Sequence, residues 1–418
     1  MRGRIGFFVF FICITFFYVS WTTATSADEI SGRATLKVAL FPWIPDAAND
    51  GFASLRKRIE AEFEKRNPDI DLVLRLRKGD EGYYNPARIA GWLASETYDI
   101  VEIDTIILGD LIGSETIEPW DQQDNESYFR AAVQGGTIKG DDGRTVWWGI
   151  PHFLCGFFLI SSSQGIDDAK TIELLKSEIL ATGKPLVGNF DSSWDLPSLY
   201  LDARIDNGTA YDQLEKAVEP PLQNRTVAAV KTLSNLCALS DDDNPCLDGT
   251  YSENSDTPVA QFVEGKAAAF WGYSERLHLT TERLERKARS TASLRVNSLP
   301  LGSRAEPLLF VDAFVKRNGC SRDNQCRDAA SAFVDFMNSD WALSEVLLSK
   351  DAEALGLNPI PRYLLPAAKS AFEIREIDKD PLYKELNPFL QSGYAIPNNA
   401  DIYEKRHVLT WLLKKSLE

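Results

Sequence analysis

The sequence lacks the short motifs by which many enzyme classes are recognised. Its three histidines, His152, His278 and His407, lie far apart and form no HExxH pair, so we expect no metal site. It has no glycine-rich phosphate loop and no G-x-S-x-G turn, which argues against phosphate-loop enzymes and the common serine hydrolases. We expect no cofactor. Internal repeats and low-complexity segments are also absent.

Positive charge is scarce. The chain has 45 Lys and Arg against 61 Asp and Glu, a net charge of −16. An acidic surface argues against nucleic acid or anionic lipid as a partner. It suits a cationic small ligand, although solubility alone accounts for many such surfaces. With 418 residues, 44% of them hydrophobic, the chain is long enough for one large core or two domains.

The first 27 residues are typical of a secretory signal peptide: a basic MRGR, an apolar IGFFVFFICITFFYVSW and small residues for cleavage. A retained signal anchor is the alternative, because the apolar stretch is about as long as the shortest membrane-spanning helices. After cleavage we expect no stable membrane association. Three N-x-S/T sequons, at Asn125, Asn207 and Asn224, agree with export. The sequence therefore predicts a glycoprotein that is secreted or held in an endomembrane lumen.

Six cysteines are present, and Cys13 leaves with the predicted signal peptide. In an oxidising compartment, two closely spaced pairs are natural disulfides across loops. They are Cys237 with Cys246 and Cys320 with Cys326. Cys155 is left over, inside the apolar run GIPHFLCGFFLI. An odd cysteine in a secreted protein indicates an intermolecular bond or a free reactive thiol, and a buried packing role is the third alternative.

Hydrophobic periodicity predicts the secondary structure of the first part of the mature chain. Strands are expected at 35–41, 71–77 and 98–108, with helices between them, which indicates right-handed crossovers and a parallel sheet. Ligands of such sheets bind outside the carboxyl ends of the strands, where Asp104 is expected. Asp104 could instead simply cap a following turn.

The remaining pattern predicts the architecture. Residues 145–161 form a long apolar crossing, mostly helical sequence follows, and two strands return before a helical tail. We predict an α/β fold, a two-lobed clamshell of the type II periplasmic solute-binding kind. The segment Phe262–Phe270 (F-x-x-GKAA-x-F) resembles a sequence feature that is common in that group of proteins. Lobe 1 is expected at 34–150 plus 296–345, and lobe 2 at 151–295 plus 346–418.

A thiol nucleophile needs a base. His152 is three residues from Cys155 on an extended segment, so the two side chains are expected on opposite faces. Glu275, in WGYSER, lies on the predicted cleft strand beside Tyr273 and is the better partner. Without further information, a solvated helix-end residue paired with Arg276 is the favoured interpretation of Glu275. Asp312 lies on an apolar strand, where a buried carboxylate needs partners or a purpose.

Several uncommon strings, in order along the mature chain, carry a wider resemblance. They are KVALFPWIPD, YDIVEIDTIIL, GIPHFLCGFFLI, SLYLDARID, GYSE, LLFVDAF, RYLLPAAKSAFE and DPLYKEL. Through these strings the chain resembles the thiaminase I (thiamine pyridinylase) family over nearly its whole mature length.

The resemblance implies a reaction. In that family a cysteine attacks C6 of the thiamine pyrimidine, a glutamate acts as base, thiazole leaves, and a second nucleophile such as pyridine, aniline or a thiol displaces the enzyme. By motif position the nucleophile is Cys155 and the base Glu275. The residues expected around thiamine are Asp104, Asp312, Tyr273, Trp43, Phe41 and Tyr83.

The sequence departs from the family at three aromatic positions. Phe41, Trp43 and Phe310 stand where the family has tyrosines, so stacking survives but phenolic hydrogen bonds do not. Tyr83 or its neighbour Tyr84 matches a further cleft tyrosine. Two rival functions remain open: a thiamine- or pyrimidine-binding protein without turnover, and a carbohydrate-type solute receptor, neither of which needs a cysteine and a glutamate in its cleft.

Overall fold

The computed structural model describes residues 33–79, 81–121, 123–140, 143–238, 244–251, 256–399 and 401–417. The predicted signal peptide, with Cys13, lies outside these residues. The strands are β1 (Ala34–Ala39), β2 (Ile70–Arg75), β3 (Ile100–Asp104), β4 (Ile117–Glu118), β5 (Thr137–Lys139), β6 (Thr145–Trp147), β7 (Ile150–Ser161), β8 (Leu186–Val187), β9 (Ala269–Tyr273), β10 (Arg295–Ser298), β11 (Leu308–Arg317), β12 (Leu365–Pro366) and β13 (Tyr394–Ala395).

The helices surround these strands. They are α1 (Ala53–Arg66), α2 (Pro86–Ala94), α3 (Leu108–Gly113), α4 (Arg130–Gly136), α5 (Gln164–Asp167), α6 (Ile172–Thr182), α7 (Asp195–Asp206), α8 (Leu214–Ala217), α9 (Asn224–Asn235), α10 (Thr257–Val263), α11 (Arg276–Arg286), α12 (Asn324–Met337), α13 (Asp340–Leu347), α14 (Lys350–Ala354), α15 (Arg375–Lys379), α16 (Pro381–Ser392) and α17 (Ile402–Leu417). No helix of the described ranges is both long and apolar enough to cross a membrane.

The opening unit confirms the predicted alternation of strands and helices. Strand β1 pairs in parallel with both β2 and β3. Helix α1 buries Leu55, Ile59 and Phe63, whose spacing of four places them on one helix face. The third strand is shorter than the predicted 98–108: it ends at Asp104, and a 3₁₀ turn and α3 follow. The chain therefore turns sharply just after the carboxylate.

Strand β7 joins the two halves of the sheet. The strand order is β2-β1-β3-β11-β7-β9-β8, with β11 antiparallel to both β3 and β7. The first half of β7 pairs with β11, and its second half pairs with β9. The predicted crossing 145–161 is interrupted after Trp147, so β6 belongs to a separate two-stranded sheet with β5. The position of Cys155 therefore lies near the middle of the joining strand.

Candidate active site

Cys155 is the free cysteine of the described residues. Both expected pairs are bonded, Cys237 with Cys246 and Cys320 with Cys326. The Cys155 side chain is half-buried and lies in the part of β7 that pairs with β11. A thiol in the middle of a sheet, surrounded by protein yet reachable from solvent, can react with a small molecule but is poorly placed for an intermolecular bond.

Strand register brings four of the eight predicted catalytic and binding residues, Cys155, Asp104, Asp312 and Tyr273, onto one face of the sheet. The residue pairs are Cys155 with Phe310, Phe153 with Asp312, Asp104 with Asp312, and Phe157 with Tyr273. Residues two apart on a strand share a face, and residues directly opposite on neighbouring strands share it too. Thiol, two carboxylates and a phenol therefore form one continuous surface across four strands.

The two aspartates face each other in a buried setting. Asp104 is 6% exposed and Asp312 is 7% exposed. Asp104 does cap the following turn, because its Oδ1 accepts a hydrogen bond from the backbone N–H of Ile106 at 3.0 Å. Burial raises the pKa of Asp104 to about 7, although that bond and the charge of Arg406 oppose the rise. Burial, followed by the charge of Asp104, raises the pKa of Asp312 well above its ordinary value.

Glu275 approaches the thiol from the end of a strand. It is not on β9 as the sequence predicts, but two residues beyond it, immediately before α11. Its Oε2 is buried and accepts no hydrogen bond from the described residues. Arg276 makes an ion pair with Asp256, at 3.1 Å between Nη1 and Oδ1, and its charge also acts on Glu275. Burial raises the pKa of Glu275 to about 6, so this carboxylate is ionised at neutral pH and able to accept a proton.

The electrostatic surroundings keep the thiol protonated at rest. Burial raises the pKa of Cys155 well above its ordinary value, and the charges of Glu275, Asp312 and Asp104 raise it further. This is the opposite of the cationic setting that produces a resting thiolate. Cys155 can act as a nucleophile only if a neighbouring base removes its proton during the attack, and Glu275, whose charge acts on the thiol, is a candidate for that role.

Aromatic side chains cluster around Phe41, which lines a cavity together with Asp312. Phe41 is buried, and its ring lies edge-on to both Tyr83 and Tyr84. Tyr83 is only 1% exposed and packs against Trp92, whereas Tyr84 is half-buried with its ring centroid 5.7 Å from that of Trp43. Tyr84 is therefore the better placed of the two tyrosines to meet a ligand.

Two site residues escaped the sequence analysis. Trp194 lies 4.7 Å from Tyr84 and 6.3 Å from Phe310, measured between ring centroids. The guanidinium of Arg406 lies 3.7 Å from the Trp194 ring centroid and is the cation whose charge acts on Asp104. Arg406 shares the buried face of α17 with Ile402 and Leu409. The sequence signal for Arg406 was a cation at a helix position where the periodicity predicts an apolar residue.

The three sequon asparagines differ in accessibility. Asn125 and Asn224 are exposed. Asn207 is half-buried, and its Nδ2 donates to the carbonyl of Ala203 at 2.7 Å and to that of Leu301 at 3.3 Å. A glycan on Asn207 would have to replace at least one of these hydrogen bonds.

We compared the sequence and the fold of the chain with those of known proteins. No protein-family model matches the chain. Thiaminase-1 of Paenibacillus thiaminolyticus is 24% identical over 410 residues, 92% of this chain and 87% of that protein. Thiaminase I of Clostridium botulinum, solved in complex with thiamin, matches with a TM-score of 0.70 at 18% identity, over 91% of this chain and 99% of that one.

A solute receptor shares the architecture. The GacH receptor of Streptomyces glaucescens, solved without ligand and with acarbose, matches with a TM-score of 0.62 at 17% identity, over 92% of this chain and 93% of that one. The predicted fold is confirmed: a two-lobed α/β clamshell of the type II periplasmic-binding-protein kind. In sequence and in fold, over nearly its whole length, the chain resembles thiaminase I.

Proposed function

We propose that this protein is a thiaminase I-like transferase that degrades thiamine by base exchange. One observation carries the proposal: a free thiol on the central strand is surrounded by Glu275, Asp312 and Asp104, whose charges all act on it. A solute receptor has no need of a thiol with a carboxylate base beside it. The sequence and fold likeness to thiaminase I supports the same function.

The proposed reaction uses these groups in turn. Glu275 takes the proton as Cys155 Sγ forms a bond to C6 of the pyrimidine. The electron pair that the attack displaces into the ring forms a double bond to the methylene as the bond between the methylene and the thiazolium nitrogen breaks, and the pair of that bond leaves with neutral thiazole. A second nucleophile bonds to the methylene, the displaced electrons return to the ring, the Sγ–C6 bond breaks, and Glu275 returns the proton to Sγ to restore the thiol. A covalent adduct divides one difficult displacement into two easier steps.

The carboxylates and aromatics supply binding. In this proposal Asp312 and Asp104 accept hydrogen bonds from the pyrimidine amino group and attract the cationic thiazolium. Trp43 and Tyr84 offer flat faces to a heterocycle, and Phe41, Phe310 and Tyr273 complete the apolar wall. The second nucleophile is a pyridine, an aniline or a thiol. We place the protein outside the cytosol, in agreement with its two disulfides.

The test is covalent labelling of the purified protein with 4-amino-6-chloro-2-methylpyrimidine, followed by mass spectrometry. We expect one aminopyrimidine adduct on the peptide that contains Cys155, with loss of chloride, and none on a Cys155→Ser variant. Turnover of thiamine with a thiol co-substrate is measured in parallel. Thiamine binding without labelling or turnover would instead support the rival function, a non-catalytic thiamine- or pyrimidine-binding protein.

A further inference from the structure

Strand β2 lies at one end of the sheet. It is the first strand in the sheet order, and within the described ranges it pairs with β1 alone. Leu40, just after β1, donates its backbone N–H to the carbonyl of Arg75 at 2.9 Å. Ala34 donates likewise to the carbonyl of Asp69 at 2.8 Å, so the odd-numbered residues of β2 face β1. The even-numbered residues therefore point their backbone groups away from the sheet.

Two glutamates of α1 occupy outward N–H donors of this strand. Leu72 N–H donates to Glu64 Oε1 at 3.2 Å, and Leu74 N–H donates to Glu60 Oε1 at 3.1 Å. Four residues along a helix rise about 6 Å, and two residues along a strand rise about 7 Å. Glutamates four apart on α1 therefore match donors two apart on β2, in reverse order because the helix runs back along the strand.

The beginning of β2 is closed by other groups. Ile70 N–H donates to the carbonyl of Asn67 at 3.0 Å, and the guanidinium of Arg33 donates to the carbonyl of Ile70 at 2.5 Å. The same guanidinium pairs with Glu64 Oε2 at 3.3 Å. Each outward N–H of the strand therefore already has an acceptor within the chain, and one of the two glutamates is held in place by a cation.

The side chains of β2 are complementary to a second copy of the same strand. Val73 is 49% exposed on the edge strand, with Asp71 and Arg75 on the same sheet face. An antiparallel twofold pairing centred on Val73 places the two valines opposite each other. It also places each Asp71 opposite Arg75 of the second copy. Apolar pairs and opposite charges directly across two strands stabilise their pairing.

This pairing uses the backbone donors that the glutamates occupy. Leu72 lies opposite Leu74 of the second copy, and both are outward-facing residues, so they exchange the N–H to carbonyl bonds of an antiparallel ladder. We propose that the edge of β2 is a self-association surface that fits β2 of a second copy, and that Glu60 and Glu64 hold it closed. An internal contact thus protects an apolar edge strand that is otherwise a template for pairing.

The double variant Glu60→Ala/Glu64→Ala tests this inference. Alanine is the better helix former, so α1 persists while both acceptors are lost. The mass of the purified protein is measured by light scattering after size exclusion, across micromolar concentrations. We expect the mass to rise with concentration to twice the wild-type value and no further, because a twofold pairing uses the open edge of both copies.

Three control variants separate the possible causes of association. Glu60→Gln/Glu64→Gln loses the charges but keeps an acceptor oxygen at each position, so it should retain the wild-type mass. Glu62→Ala removes a carboxylate of α1 that pairs with Lys65 and Arg66 rather than with β2, and should also retain it. Val73→Lys, added to the double alanine variant, sets two lysines opposite each other and should restore the wild-type mass.

Hydrogen exchange locates the contact. In the double alanine variant the amides of Leu72 and Leu74 should exchange faster than in the wild type when dilute, and association should slow them again. A mass that stays at the wild-type value, growth beyond twice that value, or association that Val73→Lys does not reverse overturns the inference. If the double variant fails to fold, Glu60→Ala alone decides by the same measurements, because it leaves the pair of Arg33 and Glu64 intact.

Discussion

Replacement of the proposed base, Glu275→Gln, should separate binding from chemistry. Glutamine has almost the same shape as glutamate but cannot accept the thiol proton. Because the pKa of Cys155 is raised, the resting side chain is the thiol and not the thiolate, so the attack depends on a base. We therefore expect thiamine to bind as before while the covalent step slows by about 10²–10⁴-fold, the usual contribution of a general base.

The pH dependence of the covalent step in the wild-type protein is a second test of Glu275 as the base. The pKa of Glu275 is about 6, and only the ionised carboxylate can act as base. At pH 7 roughly nine-tenths of it is ionised and at pH 5 about one-tenth. The rate of the covalent step should therefore be steady above about pH 7 and fall roughly tenfold towards pH 5. The rate of the covalent step in Glu275→Gln should not show this fall towards pH 5.

The assay is the rate of Cys155 labelling by saturating 4-amino-6-chloro-2-methylpyrimidine, which isolates the first covalent step from release of product. The matched control is Glu282→Gln on α11, the helix that follows Glu275, because Glu282 pairs with Arg286 at 2.6 Å at the protein surface. It should label at the wild-type rate. If Glu275→Gln labels at nearly the wild-type rate and still slows towards pH 5, another group deprotonates Cys155.

Three further predictions concern binding, redox state and stability. Asp312→Asn should raise KM for thiamine by about 5- to 150-fold, at a fixed thiol concentration, with a smaller effect on kcat, since it weakens capture and leaves the thiol and base in place; unchanged constants would place Asp312 outside the pocket. Peptide mapping without reduction should find Cys155 free, and its recovery in a disulfide would end its role as nucleophile. Asp351→Ala leaves the fully buried Arg362 without the carboxylate it binds at 2.7 Å, and should lower the urea-measured free energy of unfolding by about 3–5 kcal/mol; a loss below about 1 kcal/mol would contradict this.

Local sequence determined the elements and several chemical groups. The spacing of Leu55, Ile59 and Phe63 predicted α1, and alternation predicted the strands that flank it. The odd cysteine count singled out Cys155, and an acidic residue on an apolar strand singled out Asp312. The predictions of the elements, the two disulfides and the free cysteine succeed because periodicity, propensity and cysteine pairing over short loops depend on neighbours in the chain.

Tertiary structure decided which of these groups meet. Glu102 and His152 are 50 positions apart, and only the register of β7, β11 and β3, shifted by one bulged residue, brings them together. Trp194 and Arg406 are 212 positions apart in the sequence and meet only in the fold. Strand register and long-range side-chain contacts are settled by packing of the whole sheet, which no local pattern records. Sequence thus supplied the thiol and its carboxylates, and the fold decided how their charges act on one another.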